Sequence, residues 1–190
     1  MSDVALALGG ASFEGLVTIK ELAGQGMVTL RGDLTGPTII NAVKDVFGVT
    51  LPGTRETAFH GNAGALWMSP DEALLLCPYE EAQNKANDLV AKLAGAHALV
   101  VNVSDARAVF QLKGRALREV IAKLSPVDMS PDAFQPGMVR RTRMAQVAAA
   151  FWMDDVSTAR VVCFRSVAAY MFKLLSTAAD ENSAVRHFSS

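Results

Sequence analysis

The stretch Asn102–Gly137 reads NVSDARAVFQLKGRALREVIAKLSPVDMSPDAFQPG and predicts a strand, a hinge at Gly114 and a helix, followed by a loop. An earlier stretch, Val28–Pro52, reads VTLRGDLTGPTIINAVKDVFGVTLP and has the same order of features. In each stretch an alternating strand ends in leucine, a basic residue and glycine, and a polar turn leads to an amphipathic helix. Gly32 and Gly114 are the matching hinges.

The similarity continues beyond these helices, because each stretch is followed by Trp-Met, an acidic turn, an apolar run with a cysteine, and a helix. The offsets between matching residues are 82 for Gly32 and Gly114, 85 for Trp67 and Trp152, and 86 for Cys77 and Cys163. Two copies are too few for a solenoid, which needs about three repeats. They indicate a pseudo-twofold domain, the alternative being an α+β chain that merely reuses strand-turn-helix pieces.

Local patterns predict six elements in the first half of the chain. Glycines accept the positive φ of tight hairpins, and proline suits the first turn of a helix. The predicted elements are a hairpin of Gly15–Ala23 and Met27–Arg31 turned at Gly24-Gln25-Gly26, a helix from Gly36-Pro37 that buries Ile39, Val43, Val46 and Phe47 and ends at Gly48, a hairpin of Ala65–Met68 and Glu72–Cys77, and a helix over Tyr79–Leu93.

The second half repeats this order, so each unit is β-β-α-β-β-α. The predicted elements are strands Ala98–Val103 and Ala106–Leu112, a helix Gly114–Leu124, a hairpin of Thr142–Trp152 and Ala159–Phe164, and a helix capped by Ser166 that runs to about Ala178. Such an order predicts an α+β fold with helices packed on largely antiparallel sheets. We expect an N-terminal arm (1–14), a single domain (15–178) of two similar halves (15–95 and 98–178), and a frayed polar tail (179–190).

Composition argues against nucleic acid and anionic membranes as partners and favours another protein subunit. The net charge is −1 and no run of like charges occurs, so neither nucleic acid nor an anionic membrane is an expected partner. No stretch of about 18 apolar residues and no basic leader is present, and two isolated cysteines fit a reducing compartment, which predicts a soluble cytoplasmic protein. Charged residues make up only 19% of the chain, which favours an apolar subunit interface.

No catalytic, cofactor-binding or metal-binding motif is recognisable. The three histidines (60, 97 and 187) lie in no HExxH or CxxC pattern, and neither a phosphate-binding loop nor a GxSxG elbow occurs. Arg140, Arg141 and Arg143 form the candidate anion site, since Arg141 and Arg143 share one face of a predicted strand and could clamp a carboxylate or phosphate. Their alternative interpretation is a solvated or interface-facing strand end. His60-Gly61-Asn62 is either a ligand contact or a plain turn, and Trp67 and Trp152 are expected in the core.

Four blocks of the sequence together resemble the gamma subunit of heterotetrameric sarcosine oxidase. The resemblance extends over roughly residues 28–178, and the VDMSPDAFQPG block is its most specific part. The blocks are Trp67–Leu76 (WMSPDEALLL), Phe110–Leu124 (FQLKGRALREVIAKL), Val127–Gly137 (VDMSPDAFQPG) and Arg165–Leu175 (RSVAAYMFKLL).

The resemblance implies a fold similar to the folate-binding domain of aminomethyltransferases. It also implies a complex that oxidises sarcosine to glycine with formation of hydrogen peroxide, and that transfers the one-carbon unit to tetrahydrofolate or releases it as formaldehyde. The expected partners are alpha, beta and delta subunits, mainly alpha. FAD, FMN, NAD and the folate are expected in the alpha and beta subunits, and zinc in delta. This chain is then an accessory subunit that holds no cofactor.

A free-standing folate-binding one-carbon transferase is the alternative. It rests on the fold relationship and on the two arginines, whereas enzymes of that class use a longer chain with an extra domain. Tetrahydrofolate at 100 times its Kd would then stabilise the protein by about 2.7 kcal/mol.

Overall fold

The computed structural model describes residues 6–188 and divides into two compact units. We call Gly24–Ser104 the central unit, and residues 6–23 together with 105–188 the flanking unit. The strands are β1 (Ser12–Phe13), β2 (Thr18–Leu22), β3 (Gln25–Arg31), β4 (Thr57–His60), β5 (Ala63–Ser69), β6 (Glu72–Pro78), β7 (Leu99–Asn102), β8 (Arg107–Lys113), β9 (Val139–Met144), β10 (Val147–Asp155) and β11 (Thr158–Phe164). The helices are α1 (Pro37–Phe47), α2 (Ala82–Lys92), α3 (Leu117–Ala122) and α4 (Ala168–Ala178).

Each unit is one antiparallel sheet with two helices packed on one face, as the predicted α+β class requires. The central unit has the strand order β4-β5-β6-β3-β7 and the flanking unit β1-β2-β8-β11-β10-β9. Alternate residues of each sheet and the apolar stripes of its helices form one buried cluster per unit. Helix α1 is typical: it starts at Pro37, buries Ile39, Val43 and Phe47, and ends at Gly48 with φ 68°, as predicted. Val46, predicted in the same buried stripe, is only partly buried, and Ala42 is buried instead.

The register of the two sheets confirms the internal repeat. Arg31 lies opposite Glu72 in the central unit, and Lys113 lies opposite Thr158 in the flanking unit. Equivalent residues are therefore 82 apart in β3 and β8, and 86 apart in β6 and β11. The offset of 86 also relates β5 to β10, where each strand carries an irregularity one residue before its turn.

The predicted hairpin across Gly24-Gln25-Gly26 is wrong. Strand β2 pairs with β8 in the flanking unit, whereas β3 lies between β6 and β7 in the central unit. The compact units therefore differ from the predicted halves 15–95 and 98–178, because β7 completes the first sheet and β2 completes the second. Glycines permit a reversal of the chain, but competition between strand edges decides which strands pair.

The two hinge glycines are confirmed as equivalent. Gly32 has φ 157° and Gly114 has φ 150°, so both lie just beyond a strand in a conformation that side chains rarely adopt. A Cβ atom on Gly32 would lie 2.7 Å from Ile39 Cδ1, and one on Gly114 would lie 3.1 Å from Val17 Cγ1. Glycine is therefore needed at both positions for conformation and for space.

The predicted strand Thr142–Trp152 is in fact two strands. Strands β9 and β10 pair with each other and turn at Ala145, which has φ 51°. Ala145 and Gln146 give no turn signal, so the sequence pattern predicts one continuous strand where the chain reverses. The three strands β9, β10 and β11 form a meander that corresponds to β4, β5 and β6.

Buried carboxylates hold the terminal segments. Glu21, which is 2% exposed, accepts hydrogen bonds from the backbone N–H groups of Leu8 and Gly10. Glu119, which is 6% exposed, accepts bonds of 2.7 Å from the N–H groups of Val185 and Arg186. The sequence predicted fraying from Asp180 on, whereas in the structure the backbone of Val185 and Arg186 is bonded to Glu119.

The predicted cap at Ser166 is also wrong. Ser166 lies within a 3-10 turn over Arg165–Val167, and α4 begins at Ala168. Val167 occupies the N-cap position and supplies no side-chain cap. The 3-10 turn continues directly into the helix, so the chain enters α4 without the extended residue that a serine cap needs.

Candidate functional site

Arg141 and Arg143 lie on the same face of β9, as predicted. Both side chains are exposed at the edge of the flanking sheet, and their partners in register on β10 are Ala150 and Ala148. The arrangement suits an anion contact as well as an interface contact, so an anion-binding role for this pair stays a prediction.

The three histidines lie on separate exposed segments of the described chain. His60, His97 and His187 are exposed, and the first lies at the end of β4 beside the turn at Gly61, which has φ 58°. Within residues 6–188, no hydrogen bond joins a histidine to a serine, a cysteine or a carboxylate. The described residues also contain no cluster of three metal-ligating side chains.

The two tryptophans are not at equivalent positions. Trp152 lies opposite Arg160, whereas Trp67 lies opposite Ala73, so the offset of 86 relates Trp67 to Met153. Trp152 is fully buried, as predicted, but Trp67 is only half-buried. An error of one residue in a strand assigns a side chain to the wrong face of the sheet.

Both cysteines are poor nucleophiles. Cys77 and Cys163 are buried free thiols at equivalent positions of β6 and β11. Burial raises the pKa of each thiol to about 11. Since the thiolate is the reactive form, burial and a raised pKa lower the reactivity of both thiols in the folded protein.

We therefore expect the native protein to resist labelling by iodoacetamide at pH 8, and both thiols to react once guanidinium unfolds the chain. The variant Thr54→Cys places a thiol at an exposed position and serves as the positive control. Mass spectrometry after a timed reaction gives the number of labels. Rapid labelling of the native wild type would show that the two thiols are accessible.

Two arginines, Arg118 and Arg140, contact the VDMSPDAFQPG loop, and the sequence pattern did not single out Arg118. Arg118 Nη1 donates to the carbonyl oxygens of Met129 at 2.8 Å and Phe134 at 2.7 Å. The Phe134 ring is fully buried, lies 5.4 Å from the Phe151 ring centroid, and has the Arg140 guanidinium 5.1 Å from its own centroid. The most specific block of the sequence thus serves packing.

One open groove of about 470 Å³ lies in the flanking unit beside α4. Its lining is largely aliphatic and aromatic, and consists of Lys123, Leu124, Tyr170, Lys173, Leu174, Thr177, Ala178 and Ser183. Lys123 is already bound to Glu119, to the carbonyl of Ala178 and to Ser183. Since Tyr170 is half-exposed and Lys123 and Ser183 are bonded to other groups of the chain, the groove suits contact with an apolar surface.

Membrane insertion by a helix has no support in the part of the chain that the structure describes. No helix there has the length and apolar character needed to cross a bilayer.

The duplicated sheet-and-helix unit places the chain in a known class of α+β folds. Glycine cleavage system aminomethyltransferase T from Bartonella henselae matches it with a TM-score of 0.59 at 10% identity, over 82% of this chain and 44% of that chain. At this identity the likeness shows the fold alone, and it agrees with the fold expected from the sequence.

More similar proteins identify the family. Sarcosine oxidase subunit gamma of Arthrobacter sp. is 32% identical over 152 residues, covering 78% of this chain and 73% of that protein. A chain of the heterotetrameric sarcosine oxidase from Corynebacterium sp. U-96, solved with pyrrole 2-carboxylate, matches with a TM-score of 0.81 at 28% identity, over 92% of this chain and 90% of that chain. The model of the sarcosine oxidase gamma subunit family matches residues 31–181. The chain belongs to this family, which confirms the resemblance inferred from the four blocks.

Proposed function

We propose that this chain is an accessory, non-catalytic gamma subunit of a cytoplasmic heterotetrameric sarcosine oxidase. In this proposal the complex converts sarcosine to glycine and hydrogen peroxide and passes the one-carbon unit to tetrahydrofolate. The observation that carries the proposal is the match to a chain of a heterotetrameric sarcosine oxidase along 92% of this sequence. The alpha, beta and delta subunits are the proposed partners, and alpha is the main one.

Two features of the described residues support an accessory role. The histidines are exposed on separate segments and make no bond to a nucleophile or a carboxylate, while both thiols are buried with raised pKa values. The FAD, FMN, NAD and folate of the complex are accordingly proposed to lie in the partner subunits. The subunit would then contribute to assembly and stability.

Co-expression with tagged alpha, beta and delta subunits from the same operon tests the assignment. We expect the chain to co-elute with the tagged subunits, and sarcosine-dependent peroxide formation to fall when the chain is omitted. A matched strain that expresses an unrelated domain of similar size controls for expression load. A chain that never co-elutes with these subunits contradicts the proposal.

The non-catalytic part has a separate test. The double variant Arg141→Ala and Arg143→Ala removes the predicted anion contact, and the assembled complex should keep its kcat and its KM for sarcosine. The variant Arg55→Ala, at another exposed position, is the control. Loss of kcat in an intact complex of the double variant alone would assign the arginines to a reacting site and overturn the non-catalytic role.

A further inference from the structure

The outer edge of β7 lacks a strand that the equivalent edge of the flanking unit has. The pairing of β7 with β3 is equivalent to the pairing of β2 with β8. Asn102 of β7 lies opposite Val28, and Glu21 of β2 lies opposite Phe110. Since Phe110 is the counterpart of Val28 in the repeat, Glu21 is the counterpart of Asn102. In the flanking unit β1 then covers β2, which makes that sheet six-stranded. Among the described residues no strand covers β7, and its sheet has five strands.

Backbone hydrogen bonding defines which groups of β7 face this edge. The N–H of Val103 donates to the carbonyl of Met27 at 2.8 Å. Backbone groups alternate sides along an antiparallel strand, so those of Val103 and Val101 face β3, and those of Val100 and Asn102 face outward. Within residues 6–188 these outward N–H and C=O groups have no hydrogen-bond partner.

The counterparts in the flanking unit are bonded. The N–H of Glu21, which corresponds to Asn102, donates to the carbonyl of Ala11 at 2.9 Å. Ile19, which corresponds to Val100, lies opposite Phe13, and the Phe13 ring packs on the helix-facing core. In the flanking unit, therefore, a short extended segment with one apolar side chain completes the equivalent edge.

Apolar side chains surround the uncovered edge. On the sheet face away from the helices, Leu99 is 53% exposed and Val101 is 41% exposed. Val90, 53% exposed, lies on α2 at helical spacing from Gln83, whose side chain accepts a hydrogen bond from Asn102. Exposed strand edges normally carry a charge, a proline or a bulge that prevents pairing, and the sequence LVVN has none of these.

We propose that β7 binds an extended segment of another subunit of the oxidase as an added antiparallel strand. This inference rests on the proposed function, because a complex of four different subunits provides the foreign segment. The segment is uncharged over the contact, and it places an apolar residue opposite Val100, as Phe13 lies opposite Ile19. Backbone bonds to Val100 and Asn102 supply the affinity, and Leu99, Val101 and Val90 supply the apolar contacts.

Amide hydrogen exchange tests the pairing without any substitution. In the full-length chain alone, the amides of Val100 and Asn102 should exchange fast, and in the purified complex they should slow by more than about tenfold. The amides of Ile19 and Glu21 should be protected in both samples and serve as internal controls. A complex in which Val100 and Asn102 still exchange fast overturns the inference and leaves the proposed function intact, whereas absence of any complex overturns both.

A pair of variants tests the apolar contacts. Leu99→Lys with Val101→Lys should weaken binding of the chain to its partner subunits by about tenfold or more, since charged side chains oppose strand addition. Val156→Lys, at a position 74% exposed in the turn between β10 and β11, should leave binding unchanged. Equal affinities for both variants would contradict the proposal. Protection of Val100 that rises with the concentration of the chain alone would assign the edge to a second copy instead, which also overturns it.

Discussion

Replacement of Phe134 by alanine is expected to lower the free energy of unfolding by about 3–5 kcal/mol. The ring is fully buried, with the Phe151 ring at 5.4 Å and the Arg140 guanidinium at 5.1 Å from its centroid. Removal of the ring creates a cavity between these partners, and the backbone of Phe134 is held by Arg118, so the loop cannot easily collapse into it. Urea unfolding followed by circular dichroism gives the change.

Phe59→Ala is the matched control for this prediction. Phe59 is 48% exposed near the edge of the central sheet, so the same substitution should cost well under half as much. If Phe134→Ala and Phe59→Ala lowered stability equally, the VDMSPDAFQPG loop would not be part of the core.

Replacement of Glu119 by alanine is expected to cost about 3 kcal/mol, because it breaks a buried ionic network. The carboxylate accepts bonds of 2.7 Å from the N–H groups of Val185 and Arg186, and it lies 3.0 Å from Lys123 Nζ. Its loss leaves the ammonium of Lys123 without its ion-pair partner and frees the C-terminal segment. Limited proteolysis should then remove the last residues of the variant while the wild type stays intact.

Glu80→Ala, at an exposed position of the 3-10 turn before α2, is the control and should change stability by no more than about 0.5 kcal/mol. A Glu119→Ala variant with wild-type stability and an uncut C-terminal segment would contradict the assigned role.

The same carboxylate predicts how the difference between wild type and variant depends on pH. The N–H of Val185, followed by Lys123 and the N–H of Arg186, holds the pKa of Glu119 below its ordinary value of 4.5. A lowered folded pKa means that the stabilisation is complete above the ordinary value and is lost as the pH falls through the lowered one. The difference in unfolding free energy should therefore be constant near neutral pH and shrink below about pH 4.5.

Much of the fold followed from local patterns. The helix-period stripe of Ile39, Val43 and Phe47, between Pro37 and Gly48, was sufficient to place α1. Period and capping are properties of neighbouring residues, so they can be predicted from a short window. The turn between β9 and β10 could not be predicted locally, because Ala145 adopts φ 51° and no residue nearby signals a turn.

Fewer features of the candidate site could be predicted from local sequence patterns. The sequence directed attention to Arg141 and Arg143, which do share a strand face, but the loop-holding Arg118 has no sequence signal. A partner such as the carbonyl of Phe134, 16 residues away, is brought close only by the packed loop. The sequence could not predict the uncovered edge of β7 either, because that strand was expected in the sheet of the second half of the chain, whereas it pairs with β3.

The sequence by itself determined the types of most elements, the two hinge glycines and the family, because periodicity, caps and motif order are local and survive without coordinates. The tertiary structure alone decided which strands pair, β2 with β8 and β7 with β3. It also decided that Trp152 is fully buried while Trp67 is not. Only the folded chain brings Glu21 and Glu119 to the terminal segments that they bind. Strand partners and buried polar contacts depend on competition between distant segments for the same edge or the same donor. A local pattern carries no record of that competition.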